Sequence, residues 1–259
     1  MIASVPPVIQ MQELNLLRRY KSPEINSYPA ETYDRDRYWA SVISIPIVQI
    51  YNTKLVTEAE LPRSALDLAD SKWKDSLVMH DVTLGTLGCH WFLALKQILG
   101  TQKWRKFVVG LAKNRPKSYT LYDPVMDSVA NGETKIGVTV LLHDLVKAKN
   151  AKRPVARLRL RDVPLLTSSS AIAITAATKH PNSAELLVDF LLSTEGQTKI
   201  GSTYVRIPAR PGVKAPYALN RIVPKEKPIL FPNKSVMSEL DENLAFVTKS
   251  FATLLLKQN

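Results

Sequence analysis

Short apolar strands alternate with helices between residues 75 and 145, and this alternation constrains the fold more than any other feature of the sequence. The runs "SLVMH" and "TKIGVTVLL" are apolar and rich in β-branched residues, as buried strands are. Between them, "KWRKFVVGLAKN" has apolar residues at helical spacing, and proline and glycine mark a further helix from Pro124 to Gly132. Helices that alternate with strands are typical of a mostly parallel sheet. The sequence therefore predicts an α/β fold.

The flanking segments predict further helices and strands of the same kind. A short helix is expected within residues 8–20, and "YWASVISIPIVQIYN" predicts two short strands or one strand kinked at Pro46. A helix over residues 184–192 is expected to be buried on most of its surface, and an amphipathic helix is expected over residues 236–256. With 259 residues and 45% apolar content, the chain can form one large or two ordinary domains.

The loop before the apolar helix of residues 86–99 combines Thr83, Gly85, Thr86 and Gly88. The first four N–H groups of a helix lack internal partners, and the helix dipole places partial positive charge there. Glycines allow a ligand to approach the backbone, and threonine hydroxyls add donors, so this loop suits an anion. The alternative is that one threonine simply caps the helix. From these residues alone, the cap is the simpler interpretation.

The net charge of +12 raises the possibility of an anionic partner. However, the basic residues are spread along the chain, and the densest run, Lys147 to Arg161, has no interleaved aromatic residue of the kind that stacks on single-stranded nucleic acid. This run is interpreted as a solvated connection. A basic nucleic-acid-binding protein remains an alternative that only the charge supports, and we predict no nucleic-acid partner.

Neither catalysis nor metal binding is predicted from the residues. The only proximity of serine and histidine, Ser168–Ser170 with His180, lacks a nucleophile-elbow pattern. The four histidines show no metal-ligand spacing, and the single cysteine, Cys89, excludes an internal disulfide. No enzyme activity, metal or cofactor is therefore expected. No apolar run reaches the roughly 18 residues of a membrane span, and the N-terminus does not read as a secretory signal.

Several longer motifs resemble bacterial extracellular solute-binding proteins, in the branch that includes the ferric-ion-binding proteins of ABC importers. They occur in the family's order and are "IVQIYNTKLV", "LPRSALDLADSKWKDSLVMHD", "YDPVMDSVANGETKIGVT", "HPNSAELLVDFLLSTEGQTKIGS" and "IPARPGV". The resemblance covers Leu16 to the C-terminus, and its second and fourth motifs are fairly specific. It implies a protein that binds a small solute and delivers it to an ABC permease, without catalysis.

The resemblance implies a type II periplasmic-binding fold with two lobes and a ligand cleft between them. Residues 1–51 and 163–203 would form a partial first lobe, residues 52–162 and 204–235 the second lobe, and residues 236–259 a C-terminal helix. Family members carry a further βαβ region and a leader ahead of the position of Met1, so the first lobe is expected to be incomplete. The alternative is a truncated or degenerate receptor without transport function. The implied location is periplasmic or extracellular, and a monomer is expected.

The resemblance also implies where the ligand binds. The loop with Thr83, Gly85 and Thr86 would contact the ligand or its accompanying anion. Tyr119 and Tyr122 are expected either to face the cleft or to be half-buried strand residues. The ferric-binding members carry adjacent tyrosines after the strand that here reads "IGVTV", whereas this chain continues "LLHD". Iron binding through tyrosinates is therefore not expected. The start of a helix in the cleft and the basic charge favour a solute that is anionic or accompanied by an anion.

Overall fold

The computed structural model describes residues 1–84, 87–204, 206–214, 229–230 and 239–255. Two compact units are formed: unit 1 comprises Met1–Ile45 and Thr167–Lys225, and unit 2 comprises Pro46–Leu166 and Glu226–Asn259. The predicted α/β class is confirmed. Within the described residues, no helix is long and apolar enough to cross a membrane.

The strands are short except for two. They are β1 (Ile2–Ser4), β2 (Leu17–Arg18), β3 (Trp39–Asn52), β4 (Leu77–His80), β5 (Lys117–Tyr119), β6 (Ile136–Leu141), β7 (Val155–Leu158), β8 (Leu166–Thr175), β9 (Ile207–Pro208) and β10 (Ile229–Leu230). The expected "YWASVISIPIVQIYN" segment is thus one continuous strand, β3, and the boundary between the two units falls at Pro46 within it.

The helices are α1 (Val5–Glu13), α2 (Ala65–Leu68), α3 (Leu87–Leu99), α4 (Thr101–Lys113), α5 (Tyr122–Ala130), α6 (Leu142–Asn150), α7 (Pro181–Leu192), α8 (Thr194–Tyr204) and α9 (Leu240–Leu255). Short 3-10 turns occupy Pro23–Ser27, Ala30–Thr32, Ser71–Trp73 and Val82–Leu84. Near the N-terminus, the helix predicted within residues 8–20 begins earlier and ends earlier, because Pro6 suits a first helical turn and Asn15 adopts a left-handed φ of 57° that stops the helix.

In unit 1, strand β8 lies antiparallel to both β1 and β2. Successive side chains of a strand point to opposite faces. On one face, Ile172 and Ile174 pack with Val188 and Leu192 of α7, and on the other Ala171 and Ala173 pack with residues of α1. The prediction that residues 184–192 are buried on most of their surface is wrong, since Leu186 is 71% and Leu187 53% exposed. Only one stripe of α7 faces the sheet.

In unit 2, β4 lies parallel to β5 and to β6, as the alternation of strands and helices predicted. Strand β3 pairs antiparallel with β6 and with β7. Helices α3 and α4 carry the largest buried side chains, and the indole N–H of Trp104 donates to the Phe92 carbonyl at 2.7 Å. The ring of Phe251, on α9, packs edge-on against Phe92. This packing holds α3 firmly beside the parallel strands.

Candidate functional site

The carboxyl ends of β4, β5 and β6 meet at one edge of the unit 2 sheet, because these three strands run parallel. Ligands of open α/β sheets bind outside the carboxyl ends of the strands. We call the residues at and just after these ends the carboxyl-edge cluster. They include His80 and Asp81 at and after the end of β4, Tyr119 and Tyr122 at and after the end of β5, and His143 after β6.

Tyr122 and His80 join the strands to the start of α3. Their rings stack with centroids 3.9 Å apart and planes 19° apart. The phenol oxygen of Tyr122 accepts the backbone N–H of Gly88 at 2.9 Å. A tyrosine from α5 thus satisfies one of the donors that the first turn of α3 leaves without an internal partner.

Gly88 lets α3 approach β4 closely. A Cβ atom added to this glycine would lie 3.3 Å from Cβ of His80 and 3.6 Å from Oγ1 of Thr139. Thr139 in turn accepts the backbone N–H of His80 at 2.9 Å. Since His80 and Thr139 are both buried, a larger residue at position 88 would have to push the helix away from the strands.

Asp81 organises the turn between β4 and α3. One of its carboxylate oxygens accepts both the backbone N–H of Thr83 at 2.8 Å and the Thr83 hydroxyl at 2.7 Å. The Asp81 N–H donates to the Tyr119 carbonyl at 2.9 Å, which ties the turn to β5. Sequence reasoning did not assign a role to Asp81, although aspartate two residues before a threonine is a common turn signal.

Three of the five predicted ligand-binding residues, Thr83, Tyr119 and Tyr122, take part in this arrangement. Thr83 lies in the 3-10 turn, where its hydroxyl donates to Asp81. Tyr119 and Tyr122 are both half-buried. Gly85 and Thr86 lie outside the described residues. The contact of all five with a ligand stays a prediction.

Burial controls the charge of the histidines in this region. It lowers the pKa of His80, and hydrogen bonds to the backbone of Asp81 and Thr120 oppose this effect only in part. On α3, burial lowers the pKa of His90 to about 4. Both imidazoles are therefore favoured in the neutral form at neutral pH. Neutral His80 fits the close stack with the Tyr122 ring.

The end of β6 holds apolar side chains and a buried acid. Leu141 and Leu142 are buried where the ferric-binding relatives were expected to carry tyrosines. Next to them, Nε2 of His143 lies 3.2 Å from Oδ1 of Asp144, and Lys147 Nζ lies 3.5 Å from the same oxygen. His143 is also buried. In the described part of the chain, no group of three or more His, Cys, Asp or Glu side chains is placed to hold a metal ion.

The chain is similar in sequence to known binding proteins. A family model described as bacterial extracellular solute-binding protein matches residues 1–239. The major ferric iron-binding protein of Neisseria meningitidis serogroup B is 25% identical over 231 residues, which cover 86% of this chain and 69% of that protein.

Solved structures share the fold at lower identity. Iron-bound HitA from Pseudomonas aeruginosa superposes with a TM-score of 0.79 at 23% identity, covering 95% of this chain and 80% of HitA. Trichodesmium IdiA (FutA) in complex with iron and citrate superposes with a TM-score of 0.73 at 19% identity, covering 95% of this chain and 79% of that one. The expected type II periplasmic-binding fold is thereby confirmed.

Proposed function

We propose that this chain, which belongs to the family of bacterial extracellular solute-binding proteins, is the substrate-binding component of an ABC import system. The family match confirms the resemblance that the sequence motifs predicted. As a binding protein, the chain would hold its solute without chemical change and pass it to a membrane permease. We propose a periplasmic or extracellular location and a monomeric state, with no nucleic-acid partner.

The observation that carries the proposal is the position of the carboxyl-edge cluster in unit 2. Three parallel strands end there, and the first turn of the 13-residue helix α3 begins at the same edge. Gly88 keeps this helix close to the strands, so the positive end of the helix dipole is held in place. Backbone N–H groups at such a helix start favour an anion or an anionic oxygen of a larger ligand.

The proposed solute is ferric iron accompanied by a small anion, or such an anion without the metal. Relatives named as ferric iron-binding proteins support iron, and the Trichodesmium structure contains iron together with citrate. A tyrosinate pair is not the proposed mode of binding, because Leu141 and Leu142 occupy the end of β6. The accompanying anion would then supply ligand oxygens to the metal, while the start of α3 would hold the anion.

Calorimetric titration of the chain tests this proposal, with ferric citrate, citrate alone and inorganic phosphate as probes. At least one probe should bind saturably. Gly85→Leu should weaken that binding at least about tenfold, because a bulky residue would cover backbone donors that each contribute about 1.5–3 kcal/mol to an ionic hydrogen bond. Leu84→Ala, a change at an exposed neighbour in the same loop, should leave the affinity unchanged.

Two results would count against the proposal. Absence of saturable binding for all three probes would remove the support for a solute of this class. Saturable binding that Gly85→Leu leaves intact would show that the loop is only a helix cap, and the site would have to be sought elsewhere on the chain.

A further inference from the structure

The outer face of helix α4 is positively charged along its length. This helix contains four basic residues and no acidic one, and its apolar side chains are buried on the opposite face. Three of the basic residues, Lys103, Lys106 and Lys113, are exposed. Residues three and seven positions apart lie on the same side of an α-helix, so these lysines form one stripe. We call them the lysine stripe.

The lysine stripe has no counter-charge within the described part of the chain, where none of its three side chains forms an ion pair. The fourth basic residue of the helix, Arg105, is different. Its guanidinium lies 3.7 Å from a carboxylate oxygen of Glu242 and 4.7 Å from the centre of the Phe246 ring. The stripe therefore carries three positive charges that are left for solvent or a partner to balance.

Two of these lysines do not stabilise the helix that carries them. Lys103 lies in the first turn, where the helix dipole disfavours positive charge, and that turn has neither an acidic residue nor a side-chain cap at Gly100. Lys103 and Lys106 are like charges three positions apart, an arrangement that weakens a helix slightly. The dipole favours Lys113, which lies in the last turn. Folding of α4 thus gives no reason for Lys103 and Lys106.

We propose that the lysine stripe binds the anionic headgroups of a phospholipid bilayer. A flexible, strongly hydrated ammonium group suits mobile phosphate groups. Interfaces between proteins are instead rich in aromatic residues and arginine and poor in lysine, and single-stranded nucleic acid stacks on aromatic side chains. The two aromatic residues of α4, Trp104 and Phe107, are both buried. A face that offers only lysine charges therefore fits a lipid surface.

Binding of this kind would hold the chain against a bilayer without a helix that crosses it. A protein that passes its solute to a membrane permease works beside such a surface. The lysine stripe shares no residue with the carboxyl-edge cluster, so lipid binding can be tested separately from binding of the solute.

Co-sedimentation of the chain with lipid vesicles measures this binding. Vesicles of phosphatidylcholine and phosphatidylglycerol in equal parts should bind wild type, more weakly as sodium chloride is added, and vesicles of phosphatidylcholine alone should not. Lys103→Gln combined with Lys106→Gln should weaken the binding roughly 25-fold, or about fivefold for each lysine removed. Because both side chains are exposed and Lys103 opposes the helix dipole, this variant should be no less stable to urea than wild type.

Lys149→Gln combined with Lys152→Gln is the matched control. Both lysines are exposed and, in the described part of the chain, form no ion pair, and their removal lowers the net charge by the same amount. This variant should bind the anionic vesicles like wild type. Gly85→Leu should also bind them like wild type, so failure of the proposed solute site is distinguishable.

Three results would overturn the proposal. Equal weakening in the two double variants would mean that the total charge, and not α4, attracts the chain to the vesicles. Failure of the anionic vesicles to bind more strongly than phosphatidylcholine vesicles would exclude the lipid partner. Binding of double-stranded DNA that depends on Lys103 and Lys106, without binding of vesicles, would assign the stripe to nucleic acid instead.

Discussion

The phenol group of Tyr122 connects α5, β4 and α3 through a single side chain. Tyr122→Phe keeps the stack on His80 but removes the acceptor for the Gly88 N–H. We expect the free energy of unfolding to fall by about 1 kcal/mol, the net value of a neutral hydrogen bond. Urea unfolding measures this change, with Tyr119→Phe as the control at a second half-buried tyrosine. An unchanged stability of Tyr122→Phe would mean that water replaces the phenol oxygen without cost.

His90 should make the stability of the chain depend on pH. Burial lowers its pKa from 6.5 to about 4, so the folded state favours the neutral form, whereas the unfolded chain takes up a proton near pH 6.5. This contribution to stability is present above pH 6.5 and is lost as the pH falls from there towards about 4. Between pH 7 and pH 5 the loss amounts to about 2 kcal/mol.

The difference between wild type and His90→Gln isolates this effect. In urea unfolding at the two pH values, wild type should lose about 2 kcal/mol more than the variant. His180→Gln, at an exposed histidine, serves as the control and should follow wild type. Equal pH dependence in wild type and His90→Gln would show that His90 is protonated in the folded state as readily as in the unfolded one.

At the scale of elements, the contact between α2 and α4 depends on Gly110. A Cβ atom at this position would lie 2.9 Å from Cβ of Ala69 and 3.2 Å from the Ala69 carbonyl oxygen. Alanine is favoured over glycine inside a helix by about 1 kcal/mol, but overpacking costs about 1–3 kcal/mol, and a backbone oxygen cannot move aside easily. We therefore expect Gly110→Ala to lower the free energy of unfolding, as measured by urea.

A compensating change provides the control for this contact. Ala69→Gly combined with Gly110→Ala removes the nearest methyl group and should recover part of the lost stability relative to Gly110→Ala alone. If Gly110→Ala proves more stable than wild type, helix propensity outweighs packing, and α2 and α4 can separate at little cost.

For the whole molecule, the distribution of tyrosines restricts how iron could be held. The chain has nine tyrosines, yet none lies between Tyr122 and Tyr204, the region that includes the end of β6. Addition of ferric citrate should therefore produce no purple-red charge-transfer band, even if iron binds. Visible absorption tests for the band, and the metal content after desalting shows separately whether iron is retained. A band that appears together with retained iron would contradict the prediction.

Local sequence patterns were enough to predict the α/β class, strands β4 and β6 with mostly parallel pairing, and the position of α3. These features depend on local periodicity, and apolar residues repeat at helical or alternating spacing along each segment. The family could also be predicted from the sequence, because its motifs are long and occur in the family's order. The exposure of Leu186 and Leu187 on α7 was not predicted. An apolar composition indicates burial, but it does not show which face of the helix packs on the sheet.

Which side chains meet depends on how the chain folds in three dimensions. The Gly88 N–H reaches a phenol 34 positions away, and the His80 N–H reaches a hydroxyl 59 positions away, distances at which no local pattern operates. Strand pairing sets the distance between side chains that come from remote segments. Such side chains therefore share a site only after the strands have paired, whatever the composition of each segment.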